Sequence, residues 1–140
     1  MFRTSKIFSI ILLLFNLIGA FYGGMNLILH PDGSSVQLSL ELLYHTPFND
    51  FLIPGVILLC ANGLFCAFVL LQVLRNRSTF GKLIIAQGII LTGWIVVQML
   101  LIRTIFVLHF VLGGVGIFLI ILGCLLNQFE RKSGAITRNE

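Results

Sequence analysis

The sequence predicts an all-α, polytopic membrane protein: a bundle of four transmembrane helices with one ordered external loop. Three observations predict it. Hydrophobic residues make up 58% of the 140 residues and charged residues only 10%, against about 45–50% and about 25% in soluble domains; mean hydropathy is +1.06. The apolar residues also fall into runs long enough to cross a hydrocarbon core, which takes about 20 helical residues. Finally, the basic residues collect at one side of those runs. A soluble domain this small cannot hide so much apolar surface, and a disordered chain is polar and poor in aromatics.

The chain reads as a single membrane domain over 1–140. The first span is 7–29, interrupted only by Ser9, Asn16, Asn26 and glycines, and the second is 51–74. From Leu83 to Leu126 the chain is almost continuously apolar. That is twice the length of one span, so it must fold back. A break at Arg103-Thr104 gives spans 83–102 and 105–126. Backbone groups in lipid need partners within their own segment, which makes these spans helices; the period-two alternation of a membrane barrel strand is absent. The first run also has the outline of a signal peptide, with Arg3 and Lys6 before an apolar stretch and Ala20 as a cleavage position. Ile18 suits such a site poorly and the apolar run continues past it, which favours a retained span.

Lys and Arg near span ends set orientation. Arg3 and Lys6 precede span one, Arg75, Arg77 and Lys82 lie between spans two and three, and Arg131, Lys132 and Arg138 follow span four. With four spans these eight share one side, so both termini and the 75–82 loop are expected in the cytoplasm, as is the 127–140 tail, which after Gln128 is polar and expected to fray. The 30–50 segment has no Lys or Arg but carries Asp32, Glu41 and Asp50, and is read as the external loop. Pro31-Asp32-Gly33-Ser34 is a turn signal. Val36, Leu38, Leu40 and Leu42 alternate with polar residues like a strand, while a short interfacial helix over 39–45 competes with that reading. Thr46-Pro47 reads as a helix start, with a kink at Pro54-Gly55.

The segment Leu40-Glu41-Leu42-Leu43-Tyr44-His45-Thr46-Pro47-Phe48-Asn49-Asp50-Phe51-Leu52-Ile53-Pro54-Gly55 resembles a Ser/Thr-Pro-Phe-x-Asp-Phe-x-Ile-Pro-Gly pattern found in a family of small four-span bacterial integral membrane proteins of unknown function. Gly93-Trp94-Ile95-Val96-Val97-Gln98 is similar to a second segment of those proteins. The likeness covers about 23–123. It implies four spans in a bacterial cytoplasmic (inner) membrane, and it brings no catalytic residue with it.

Inside the spans, small and polar residues form stripes, the usual means of packing helices in lipid. Asn16, Gly19, Ala20 and Gly23 share a face of span one, and Asn62 and Cys66 a face of span two. Gln87, Trp94 and Gln98 align in span three, and His109, Gly113, Gly116 and Gly123 in span four. Asn16, Gly19, Gly23, Asn62, Gly113 and Gly116 are the expected packing residues. Asn16 and Asn62 lie about 13 Å and 16 Å into their spans at 1.5 Å per residue, close enough in depth to bond each other. Gln98 and His109 are equidistant from the Arg103-Thr104 turn and are expected to face each other. His109 is the only ionisable residue well inside a span, which makes it a functional candidate; a neutral histidine bonded to Gln98 is the structural alternative. Arg103 either snorkels to the headgroups or pairs with Asp32, Glu41 or Asp50. Ligand-binding candidates are therefore His109, Gln98, Trp94 and Arg103.

Function classes narrow by elimination. Cys60, Cys66 and Cys124 form no CxxC pair, and His30 and His45 have no metal-ligand spacing, so no metal is expected. A single intraspan histidine argues against a bis-histidine haem, and no cofactor is expected. No carboxylate lies inside a span and no Ser–His or Cys–His arrangement is recognisable, so no catalytic residue is assigned. The net charge of +4 belongs beside anionic lipid, not nucleic acid. What remains is a non-enzymatic accessory, scaffold or oligomer-forming subunit, with membrane lipids and a homo-oligomer or membrane-protein partner as the expected contacts. The alternatives are a carrier or binder of a small ligand or lipid within the bundle, and an intramembrane enzyme.

Overall fold

A computed structural model describes residues 1–136, with side chains described to Ser133. It contains four helices long and apolar enough to cross a membrane: α1 (Phe2–Leu29), α2 (Leu52–Leu74), α3 (Phe80–Ile102) and α4 (Val107–Ile136). The chain is an all-α, multi-pass bundle, with no strand among the described residues.

α1 begins at Phe2, ahead of the apolar run, because helical hydrogen bonding continues through the polar first turn: the Ser5 N–H donates to the Met1 carbonyl and the Ser9 hydroxyl to the Ser5 carbonyl. It stops at His30, whose φ of −130° and ψ of 77° are the extended geometry imposed by the following Pro31. α2 starts at Leu52, not at Thr46-Pro47. Thr46 is occupied elsewhere: its hydroxyl donates to the Leu43 carbonyl and accepts from the Phe48 N–H. Asp50 takes over the capping role, its Oδ1 accepting from the Leu52 N–H at 3.0 Å. Pro54 thus falls in the first turn, where its missing N–H removes no helical bond. The departure from α geometry lies further on, in a π turn over Leu59–Leu64.

α4 continues ten residues beyond the expected end of its span, so the helix does not fray directly after Gln128. Leu126 is fully buried, the Phe129 ring meets Phe2 edge-on at 5.8 Å, and Glu130 Oε2 accepts from the Gly81 N–H at the start of α3. Those three contacts tie the tail to α1 and α3. Residues 137–140, with Arg138, lie outside the described residues.

The 30–51 loop forms two 3-10 turns, Ser34–Val36 and Leu40–Leu43. A strand cannot form through 36–42, because Gln37 is left-handed at φ 56° and no partner strand exists among the described residues. The alternating leucines instead close a small second core, where Leu27, Leu43 and Phe51 are buried against Val36, Leu38 and Leu42. The Phe51 N–H donates to the Pro31 carbonyl at 2.8 Å and joins the two ends of the loop. Ser34 donates to Asp32 from both its hydroxyl and its backbone N–H, holding that carboxyl below its ordinary pKa.

Packing between helices is closest where two glycine pairs meet. Gly81 and Gly88 of α3 face Gly116 and Gly123 of α4. A Cβ on Gly88 would lie 2.7 Å from the Gly116 carbonyl oxygen and 2.9 Å from the Ile120 nitrogen; one on Gly123 would lie 2.8 Å from the Ile85 nitrogen. At Gly116 it would collide with the Thr92 hydroxyl. α1 and α2 touch in the same manner at Gly24 and Gly55, where a Cβ on Gly24 would sit 3.1 Å from the Gly55 carbonyl oxygen. Such backbone approach gains van der Waals contact that lipid cannot match. The expected packing glycines divide. Gly116 is in the seam, Gly23 meets Leu58 at 3.3 Å, Gly113 has an ordinary contact with Ile95 at 3.8 Å, and Gly19 has nothing within 4 Å of a Cβ. Gly19 therefore makes no close helix contact; the tight seam of α1 falls one turn later, at Gly24.

Around the bundle α1 lies between α2 and α4, and α3 packs chiefly on α4. α3 meets α2 chiefly along its Phe65–Leu74 part and its π turn; toward Leu52–Leu58 the Leu40–Leu43 turn also reaches α3. The loop thus spans a gap between the two helices.

Candidate ligand site at the loop end of the bundle

The π turn decides what lies at mid-bundle. A π turn replaces i→i−4 bonds with i→i−5 bonds and frees a carbonyl; here the Phe65 N–H reaches the Cys60 carbonyl. The Asn62 carbonyl accepts from Asn16 Nδ2 at 3.3 Å, and Asn62 Oδ1 accepts from Gln87 Nε2 at 3.2 Å. Asn16, Asn62 and Gln87 are at most 2% exposed, so three helices meet through a buried amide cluster. Among the described residues Asn62 Nδ2 and Gln87 Oε1 have no hydrogen-bond partner, which is costly in a water-poor interior. The Cys66 thiol adds a bond to the Leu13 carbonyl at 3.3 Å. Gln87 shares its helix face with Trp94 and Gln98 at helical spacing, and that stripe was the signal in the sequence for its inward position.

Above this cluster, toward the loop, two cavities share Trp94 and Gln98. One, of about 120 Å³, fills the gap between α2 and α3 under the loop; Leu43, Thr46, Phe48 and Phe51 roof it, and Leu27, Pro54, Ile57 and Ile102 complete it. The other, of about 180 Å³, lies between α1, α3 and α4 and is lined by Phe15, Asn16, Gly19, Gly23, Leu91 and Leu112 among others. Gly19 leaves space on this wall, and that is the role the structure gives it. Neither cavity has an ionisable side chain in its lining. Among the described residues, neither the Trp94 indole nor the Gln98 amide has a hydrogen-bond partner, and their polar atoms are not sealed from the surface. A third, wider cavity of about 510 Å³ lies at the opposite end, where Phe2, Phe80 and Phe129 of three helix ends meet Asn76 and Glu130. It opens broadly at the basic end of the bundle, beside Lys6, whose ammonium donates to Asn76 Oδ1.

His109 and Arg103 do not join Trp94 and Gln98. His109 Nδ1 accepts from the Phe106 N–H at 2.9 Å, three residues back across the start of α4. This is the reach of the third helical residue to the capping residue's N–H, and it requires Nδ1 to be the unprotonated nitrogen. The ring also lies 5.6 Å from that of Phe106. The α4 residues that line the second cavity with Gln98 are Leu108 and Leu112, so the face of α4 turned to Gln98 is the neighbouring one. Arg103 terminates α3 in a left-handed conformation, φ 54°, its N–H donating to the Met99 carbonyl. Its side chain is exposed and makes no ion pair with Asp32, Glu41 or Asp50. Two of those carboxylates are already used by Ser34 and Leu52. For His109 the expected result follows from the capping geometry. His109→Gln, which can reach the same N–H, should melt within about 0.5 kcal/mol of wild type, while His109→Leu should lose about 1 kcal/mol. Thermal unfolding in detergent measures both, and equal loss in the two variants would exclude the capping role.

Among the described residues no three His, Cys, Asp or Glu side chains converge as they would to hold a metal ion. The chemical capacity of the site lies in an apolar enclosure with two unspent hydrogen-bonding side chains. The chain matches no protein-family model, and comparison with curated proteins and with solved structures finds no similar one.

Proposed function

We propose that this is a non-enzymatic integral membrane protein that holds a lipidic small molecule in the paired cavities around Trp94 and Gln98, and that it serves as an accessory subunit within a homo-oligomer or beside another membrane protein. One observation carries this reading: two cavities lined mainly by apolar side chains share an indole and an amide that have no hydrogen-bond partner among the described residues, with no ionisable side chain in either lining. Ligand pockets have this composition, mostly apolar with a few polar groups that fix orientation. An intramembrane enzyme would need a general acid, base or activated nucleophile in reach of the substrate; the one hydroxyl in these walls, on Thr46, is bonded to the Leu43 carbonyl and the Phe48 N–H with no base beside it.

The basic residues support an orientation with both termini in the cytoplasm, since among the described residues seven of the eight Lys and Arg fall at the end of the bundle that carries the N-terminus. The likeness of 40–55 and 93–98 to small four-span bacterial proteins supports a bacterial inner-membrane location.

Gly19→Leu tests the reading. A Cβ there meets nothing within 4 Å and Gly19 lines the second cavity, so leucine is expected to keep the fold and to take up part of that cavity. Wild type purified in mild detergent should retain a stoichiometric lipid-soluble molecule by native mass spectrometry, and Gly19→Leu, melting at the same temperature, should retain several-fold less. Equal retention, or none by wild type, would sink the proposal.

A further inference from the structure

The geometry points to an uncharged lipid held by its carbonyl oxygen, with the Trp94 indole N–H and the Gln98 amide N–H as donors; this rests on the cavity-binding reading above. The polar groups that line the cavities can be assigned one by one. Thr46 donates to the Leu43 carbonyl and accepts from the Phe48 N–H. Asn16 donates to the Asn62 carbonyl. Asn16 is 2% exposed and tied into the amide cluster, so Trp94 and Gln98 are the polar lining side chains that have no hydrogen bond among the described residues. An indole is a donor only, and a primary amide brings two more N–H groups beside its oxygen. The complement of such a pair is an acceptor oxygen.

Charge decides which acceptor. A phosphate or carboxylate in these cavities would lose its hydration with no cation in the lining to replace it, and a buried unpaired charge is among the costliest arrangements in a protein. An ammonium headgroup would meet no carboxylate. A neutral carbonyl loses far less hydration, and two N–H donors restore its hydrogen bonds. Volume agrees: a 150 Å³ apolar cavity takes up benzene, so the cavity of about 180 Å³ has room for a six-membered ring. The carbonyl can come from a quinone ring or from the ester of a neutral glyceride.

Trp94 is the only tryptophan in the chain, so its emission reports on the site alone. The full-length protein in mild detergent is titrated in parallel with a decyl-substituted benzoquinone, with dioleoylglycerol and with dioleoylphosphatidylglycerol. Wild type, Gln98→Leu and Gly19→Leu are compared, with thermal melts confirming that each is folded. The expected result is a saturable change in Trp94 emission with the quinone or the diacylglycerol, at least tenfold weaker in Gln98→Leu and absent in Gly19→Leu. Saturation by the quinone alone assigns the ring carbonyl, and by the diacylglycerol alone the ester. Saturation by the phosphatidylglycerol at the same concentration as the neutral lipids would overturn the preference for an uncharged ligand and leave the cavity reading standing. Unaltered affinity in Gln98→Leu would overturn the donor assignment. No saturable response to any lipid, with Gly19→Leu indistinguishable from wild type, would overturn both the inference and the reading beneath it.

Discussion

Gly88→Val is expected to destabilise the bundle by about 3 kcal/mol or more, at the upper end of overpacking effects. A Cβ at Gly88 would lie 2.7 Å from the Gly116 carbonyl oxygen, 2.7 Å from Ile120 Cγ1 and 2.9 Å from the Ile120 nitrogen. Two of those three atoms are backbone, so no rotamer change relieves the clash; α3 and α4 must move apart. That separation undoes the seam at Gly81, Gly116 and Gly123 together, because all four glycines lie along one line of contact. It also releases the wall of the second cavity that Leu91 and Leu112 supply from the same two helices. Gly114 on the same helix as Gly116 is the control, since a Cβ there meets nothing within 4 Å; Gly114→Val should stay within about 0.5 kcal/mol of wild type. Helical circular dichroism followed through thermal unfolding in detergent measures both. Similar melting of the two variants would mean that the glycine seam does not hold α3 to α4.

Gly33→Val is expected to cost about 2 kcal/mol and to open the loop end while the four helices persist. Gly33 sits at φ 78°, a conformation that branched residues avoid. A Cβ would also lie 2.5 Å from the Leu38 carbonyl oxygen and 2.9 Å from the Phe51 ring. The Gly33 carbonyl accepts from both Val36 and Leu38, so a shifted Gly33 loosens the first turn of the loop. Phe51, 3% exposed, roofs the first cavity and is displaced by the same clash. Hydrogen exchange of the 31–51 amides should accelerate at least tenfold, with the amides of α3 and α4 unchanged. Trp94 emission should shift to the red as water enters beneath the displaced roof. Retained protection across the loop would show that Gly33 does not hold the roof in place.

Composition and run length determined the four helices and their order, because in lipid every backbone group must find its partner within the segment. One choice left open in the sequence, the form of the external loop, and one expectation, the fraying of the tail, were decided by contacts of other kinds. The period-two leucines of 36–42 read as a strand by side-chain pattern alone, but they serve a small core around Phe51, and the left-handed Gln37 breaks any extended run. The polar tail looked ready to fray because Gln128, Glu130, Arg131 and Lys132 are hydrophilic; Phe129 and Glu130 nevertheless anchor it to α1 and α3.

The stripes of small residues were legible, their partners were not. Helical spacing shows that Asn16, Gly19 and Gly23 share a face, yet it cannot say whether that face meets a backbone, a side chain or a space. The rotation of each helix against its neighbours decides that, and it turned Gly24 to Gly55 while leaving Gly19 beside a cavity. The spacing of seven between Gly81 and Gly88 and between Gly116 and Gly123 was in the sequence, but it acquires meaning only once α3 and α4 are known to run antiparallel across a short turn. Equal distance from that turn likewise placed Gln98 and His109 at one depth without fixing the direction of either. The helix start claimed His109 as its cap, and Leu108 and Leu112 took the wall facing Gln98. What the amino-acid sequence by itself determined is the periodic, local part of this protein: which segments are helical, how many there are, and where the charges fall. What only the tertiary structure decided is the pairing of faces, and with it the glycine seams, the amide cluster at the π turn and the cavities. Those depend on contacts between residues distant in the chain, and no local spacing encodes them.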